Sequence, residues 1–302
     1  NQPKAIGAAG AALLAFAFVP GFPAMIFLSI GGGLIGLSRL AMKPQNFTGD
    51  KPAAAQGPGG KPAAPLPAGP ESVMPLLAVD PLEIEIGYGL TKLADARNGG
   101  DLPERVTATR RQIALELGFV MPSVRIRDSV ALGSNEYVIK VRGEEVARAE
   151  AESGMLLAIN SGAVSEGLPG LATKEPVFGL DAVWIDAGLR ESAERFGYTV
   201  IEPSVMLSTH LSEIVKGYAA ELLSRQDVQQ LIENAKHQNA AVVEELVPAV
   251  LSVGDIQKVL QHLLRERVPV RDMATILETM ADFASRTKDP DQLGELVRAA
   301  IS

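Results

Sequence analysis

DPLEIEIGYGL, residues 80–90, opens the part of the chain in which side-chain period can be read directly. Leu82, Ile84 and Ile86 alternate with Glu83 and Glu85, so an extended segment here has one apolar and one acidic face, the pattern of a strand. Glu83 and Glu85 read as an exposed strand face. The next segment changes period. Leu102, Val106, Ile113 and Leu117 share one side of a helix, and Gly118 is placed to terminate it, because glycine enters the left-handed C-cap conformation without steric cost. Alternation returns over Ser123–Arg127. Glu136–Arg142 and Glu145–Ala149 flank Gly143 and predict a hairpin. Leu156–Asn160, Ala182–Ile185 and Tyr198–Glu202 are further short strands, with a helix over about Ala187–Phe196 stopped by Gly197. Strands and helices in mixed order predict a mixed α/β body.

Beyond Pro203 the pattern is helical throughout. Ser208 or Thr209 is placed to cap a helix running to about Ser224. Ile256, Val259, Leu260, Leu263 and Leu264 follow the i, i+3, i+4 spacing of a buried stripe, with Ser252 and Asp255 at capping-box spacing before it and Pro269 ending it. Met273, Ile276, Leu277, Met280 and Phe283 repeat the stripe, and Asp289-Pro290 begins another helix. Adjacent amphipathic helices joined by short turns predict a small bundle.

Upstream, residues 44–79 are rich in Pro, Ala and Gly without periodicity and predict a flexible, partly extended tether. Residues 5–38 carry no charged side chain, and PGFP (20–23) divides them. Two apolar helices, about Ala5–Val19 and Pro23–Leu40, predict a transmembrane hairpin over residues 1–43. Lys4, Arg39 and Lys43 would place both ends on the cytoplasmic side. Gly31, Gly33 and Gly36 match a dinucleotide-binding spacing but follow no strand; Gly32 and Gly36 read better as a face for close helix packing. The sequence begins at Asn1, and further spans are expected before it.

Composition narrows the functional classes. The chain has 302 residues and a net charge of −8, yet its first 43 residues are basic, so the acidic charge is concentrated in the remainder. The absence of cysteine excludes a disulfide scaffold and a cysteine-ligated zinc site. An acidic body argues against nucleic-acid binding. No nucleophile, phosphate loop or metal motif stands out. Gly59-Gly60-Lys61 is followed by Pro62 where a phosphate loop needs Ser or Thr. His210 and Glu213 share a helix face, but no other ligand is near in sequence; His210 reads as a helix-start residue, and His237 and His262 as surface residues. Arg110, Arg111, Arg125 and Arg127 read as solvated or locally ion-paired. The segment 160–181, NSGAVSEGLPGLATKEPVFGLD, predicts a long loop, and long loops inside compact domains are often functional. Phe178 within it is either an exposed anchor for a partner or a core residue, and the sequence leaves both open.

Six segments, in order, carry a resemblance: DPLEIEIGYGL (80–90), RQIALELGFVMPSVRIRD (111–128), NEYVIKVRGEEVAR (135–148), EPVFGLDAVWI (175–185), STHLSEIVKGYAAELLSRQDVQQL (208–231) and VPVRDMATILETMADFA (268–284). They resemble the FHIPEP family of type III export-gate proteins. SRQDVQQL (224–231) and VRDMATILETMADFA (270–284) resemble its flagellar branch rather than its virulence-secretion branch, and the PGFP hairpin is similar to the family's last two membrane spans.

The resemblance implies a multidomain α+β cytoplasmic region tethered to a transmembrane helical hairpin. Residues 80–153 with 203–222 would form a discontinuous first subdomain, 154–202 an inserted ferredoxin-like subdomain, and 223–302 a helical subdomain. A fourth subdomain and further membrane spans of the family are not in this sequence, which implies an internal piece. The implied protein lies in the bacterial inner membrane, with its cytoplasmic part in a nine-membered ring. It is not an enzyme and has no cofactor, metal or nucleic-acid partner. Its implied partners are export chaperone–substrate complexes, other export-gate membrane proteins and the export ATPase complex. The family's docking dimple places an acid, a Phe and a Thr together, which correspond to Glu175, Phe178 and Thr209. The alternatives are a virulence-type export gate and a purely structural ring component.

Overall fold

The computed structural model describes residues 79–162 and 164–301. The predicted hairpin, and the tether apart from Val79, lie outside the described residues. Among the described residues no helix is long and apolar enough to cross a membrane.

Among the described residues there are eight strands and ten α-helices. They are β1 (Leu82–Ile86), α1 (Thr91–Ala94), α2 (Leu102–Leu117), β2 (Val124–Asp128), β3 (Glu136–Val141), β4 (Glu144–Glu150), β5 (Leu156–Ile159), β6 (Leu171–Lys174), β7 (Asp181–Ile185), α3 (Arg190–Arg195), β8 (Thr199–Ile201), α4 (Pro203–Gly217), α5 (Ala219–Leu222), α6 (Arg225–Lys236), α7 (Ala240–Leu246), α8 (Val253–Arg265), α9 (Met273–Phe283) and α10 (Pro290–Ile301). The strands form two separate four-stranded sheets, ordered β2-β1-β3-β4 and β6-β7-β5-β8.

In the first sheet β1 pairs parallel with β2 and antiparallel with β3. The parallel pair needs a crossover, and α2 supplies it. Leu82, Ile84 and Ile86 are buried on the core side, beside Val106, Ile113 and Leu117 of α2. Gly118 caps α2 with φ of +83°. The opposite face of β1 differs from expectation. Glu83 and Glu85 are not an open acidic face: Arg127 Nε lies 2.9 Å from Glu83 and Lys140 Nζ 2.5 Å from Glu85. In register Arg127 of β2 lies opposite Glu85 and Lys140 of β3 opposite Glu83, so each ion pair is a diagonal contact between neighbouring strands. Arg125 and Arg127 also reach Asp80. The β3–β4 turn is closed by Arg142 and Gly143, both at positive φ, the geometry of a two-residue hairpin.

The second sheet is antiparallel throughout. Its own small core joins Leu156, Ala158, Ile185, Ala193 and Tyr198. The predicted long loop 160–181 contains a strand. LATK (171–174) forms β6 against β7, although its side chains are mostly exposed. An edge strand without a buried face leaves no alternating apolar pattern to read.

The helical half also departs from expectation in one place. The helix expected to start at Ser208 or Thr209 starts at Pro203, whose fixed φ and missing N–H suit the first turn. Ser208 and Thr209 lie inside it, and both hydroxyls donate to the carbonyl of Val205, at 2.9 Å each. It also ends early, at Gly217, and Ser224 is a cap, not a terminus: its side chain and Asp227 form a reciprocal capping box at the start of α6. The box expected at Ser252 and Asp255 is present on α8. All five residues of the α8 stripe are buried, as are Met273, Ile276, Leu277 and Met280 of α9. Gln257 and Gln261 of α8 donate to the carbonyls of Leu223 and Ala220, so the bundle is tied to the end of α5 by polar contacts as well as packing.

Candidate functional site

The turn between β6 and β7 presents the most exposed phenylalanine chemistry of the second sheet. The backbone of Glu175 closes it, with Glu175 N donating to Leu180 O at 2.8 Å and Gly179 N to Glu175 O at 3.0 Å. Gly179 sits at φ +70°, where a side chain would be strained. The Glu175 carboxylate turns inward and is only 4% exposed. One oxygen accepts from Val177 N at 2.9 Å and the other from Phe178 N at 2.7 Å. These two bonds fix the backbone on which Phe178 stands, and its ring is 70% exposed. Leu180, in the same turn, is exposed as well. Of the two readings open for Phe178, the structure excludes the core.

Thr209 lies on the exposed side of α4. Since its hydroxyl proton goes to Val205 O, it faces solvent as a hydrogen-bond acceptor. One residue on, His210 points the other way. It is buried against Tyr137 of β3, with Tyr137 Oη 2.8 Å from His210 Nδ1 and the rings edge to face at 5.8 Å. This corrects the reading of His210 as a helix-start residue; it sits between Leu207 and Leu211 on the apolar face of α4. Burial raises the Tyr137 phenol far above its ordinary pKa, and the Glu175 charge adds to the effect. The phenol therefore keeps its proton, and the His210 tautomer sets which group donates in the bond. Burial lowers the His210 pKa, while the Glu175 charge opposes that shift. Glu175 is thus close enough to act electrostatically on both rings. The structure joins Glu175 to Phe178 directly, and brings Glu175 into the electrostatic neighbourhood of the residue adjoining Thr209.

Sequence reading missed Tyr137 and the inward role of Glu175. The His210 position was legible in the Leu207, His210, Leu211 spacing. The acid's role depends on a six-residue turn whose geometry has no period. His237 is exposed, as expected, but His262 is not a simple surface residue: its Nε2 is buried without a hydrogen-bond partner.

The FHIPEP family's sequence pattern matches residues 1–302. The flagellar biosynthesis protein FlhA of Bacillus subtilis is 48% identical over 233 residues, covering 77% of this chain and 34% of that protein. FlhA of Escherichia coli is 37% identical over 309 residues, covering 100% of this chain and 43% of that protein. The chain therefore spans well under half the length of these curated relatives. Among solved structures, the Chlamydia pneumoniae CdsV protein in its complex with CdsO shares the fold with a TM-score of 0.64 at 21% identity, over 74% of this chain and 70% of that one. The nonameric SctV-C of EPEC gives 0.56 at 19% identity, over 74% of this chain and 66% of that one. Six collinear motifs, full-length agreement with the family pattern and high identity to several relatives lead to one assignment: the chain belongs to the FHIPEP family.

Proposed function

We propose that this chain is a docking platform of the bacterial flagellar type III export gate, held at the inner membrane, and that it is not an enzyme. The observation that carries the reading is Phe178: a large apolar ring, 70% exposed, on a turn whose backbone a buried carboxylate holds in place. An exposed aromatic on a rigid support loses little entropy on binding and supplies much contact area. Thr209 adds an acceptor, and Glu175 acts from beneath as a brace. The ligand proposed is an export chaperone carrying a filament-type substrate.

The remaining organisation is proposed on the same basis. The membrane hairpin over 1–43 and the tether over 44–79 rest on the sequence pattern. Residues 80–153 with 203–222 form one subdomain, 154–202 an inserted one and 223–302 a helical one. The order β6-β7-β5-β8 supports a ferredoxin-like insertion, with a loop in place of that fold's first helix. The nonameric state of SctV-C supports a ring of nine chains, and the CdsV–CdsO complex supports binding of a partner protein; the export ATPase complex and other gate proteins are the partners proposed. Identity to FlhA proteins favours the flagellar over the virulence-type reading.

The test is calorimetric titration of the full chain with a cargo-loaded flagellar chaperone. Phe178→Ala is expected to weaken binding by about 2 kcal/mol or more, roughly thirtyfold, with unchanged unfolding. Equal binding by the variant refutes the docking role, and self-association without chaperone binding would favour a purely structural ring component.

A further inference from the structure

α8 and α10 pack side by side, and at their contact four side chains converge in two i, i+4 pairs. His262 lies in the last turn of α8 and Glu266, four residues on, is its C-cap, while Asp291 and Glu295 are one turn apart on α10. His262 Nε2 lies 3.7 Å from Glu266 Oε1 and 3.6 Å from Glu295 Oε1, and the three atoms all fall within 4.8 Å of one another. These separations are too long for hydrogen bonds. They are close to the separation of about 3.4 Å between ligand atoms that each lie roughly 2.1 Å from one tetrahedral zinc ion. Nε2 itself is shielded from solvent and has no hydrogen-bond partner. A buried ring nitrogen facing two carboxylate oxygens at ligand spacing is an arrangement that a cation between them would satisfy.

The surroundings orient each ligand. Asp291 Oδ1 is 3.4 Å from Nδ1, on the far side of the ring. A carboxylate there favours the tautomer with the proton on Nδ1 and the lone pair on Nε2, as in carboxylate–histidine–zinc triads. Arg298 pairs with the outer oxygens of both acids, at 3.6 Å for Glu266 Oε2 and in close contact with Glu295 Oε2, which leaves both Oε1 atoms directed at Nε2. The ring has little room to turn. Gly294 of α10 lies against it so closely that a Cβ there would come within 2.7 Å of His262 Cδ2. Three carboxylates against one guanidinium leave an excess of negative charge for a divalent ion to neutralise.

We propose that His262, Glu266 and Glu295 form a zinc site that clamps α10 onto α8, with a water molecule completing the coordination. One imidazole and two carboxylates suit zinc better than calcium or magnesium, which prefer oxygen ligands alone. The site is independent of the docking turn.

The experiment is equilibrium dialysis of the purified full chain against zinc chloride, with metal analysis and a thermal unfolding scan at each concentration. One zinc ion per chain is expected, with a zinc-dependent rise in melting temperature. His262→Gln and Glu295→Gln should each weaken binding at least tenfold and remove the thermal shift, while His237→Gln should change neither. Glu295 is half exposed, so its variant keeps the fold and decides the matter even where the His262 variant is unstable. Replacement by cobalt should give the visible bands of a low-coordinate ion. Absence of saturable binding, binding unchanged in the Glu295 variant, or equal competition by magnesium or calcium would each overturn the proposal.

Discussion

Replacing Glu175 with Gln changes one carboxylate oxygen into an amide nitrogen and little else in shape. In the native turn the two oxygens accept from Val177 N at 2.9 Å and Phe178 N at 2.7 Å. Bonds to a charged acceptor contribute about 1.5–3 kcal/mol each, against about 1 kcal/mol for a neutral one. Glutamine keeps one bond at neutral strength and places a donor against a donor in the other. The difference is about 2–5 kcal/mol, of which hydration of the opened turn's amides recovers part, leaving about 2–4 kcal/mol. The effect should be local, since the second sheet's own core does not include Glu175. Hydrogen exchange of a peptide spanning 175–180 in the folded protein is the direct assay. Amide protection there should fall by about 30- to 1000-fold, the equivalent of that energy at about 1.4 kcal/mol per decade. Chaperone affinity should fall with it, because the ring of Phe178 is no longer held ready. Unchanged protection of Val177 and Phe178 in the variant would refute the brace, whatever happened to binding.

Two further outcomes follow from packed positions. The folded-state pKa of His210 lies below its unfolded value, chiefly through burial, so the unfolded chain takes up the proton more readily. Its contribution is complete above the unfolded imidazole value of about 6.5, and stability is lost as pH falls from there through the depressed folded value. His210→Gln, which can still accept from Tyr137, should flatten this acid-side slope in urea unfolding between pH 7 and 5; an identical slope would remove the assignment. Gly118→Ala should destabilise the protein by about 2 kcal/mol or more, because left-handed backbone costs an L residue roughly 1–2 kcal/mol and the added Cβ would also meet Arg271 N at 2.4 Å. Chemical denaturation measures it, and a cost under half that value would mean that the α2–Arg271 approach relaxes easily.

What the sequence made legible was whatever repeats. Leu82, Ile84 and Ile86 mark a strand because one face is wholly buried, and the α8 stripe marks a helix for the same reason. β6 escaped because an edge strand with exposed side chains has no buried face to impose a period. The start of α4 was misplaced because Ser208 and Thr209 have the chemistry of caps, yet a hydroxyl inside a helix can bond back to the preceding turn equally well. Glu83 and Glu85 were read as open because alternation reveals which face a residue occupies, not which strand will lie beside it with Arg127 and Lys140. The proposed docking residues came from resemblance. The chain's own pattern offered only a loop and an unassigned Phe.

In the proposed docking role Glu175, Phe178 and Thr209 would act by separate physical means, and this bears on how substitutions at each are to be read. Phe178 offers area, and truncating it removes contact without touching the fold. Thr209 offers one acceptor at an exposed position, a modest contribution that water can largely replace. Glu175 cannot offer a partner much: its oxygens are already engaged with the turn, and the carboxylate is buried beneath it. Its charge faces inward, towards Tyr137 and His210, where it opposes the burial that depresses the histidine. Loss of binding on substitution at 175 would thus be a loss of preorganisation expressed through Phe178, and reading it as a lost contact would assign to the acid an energy that belongs to the ring.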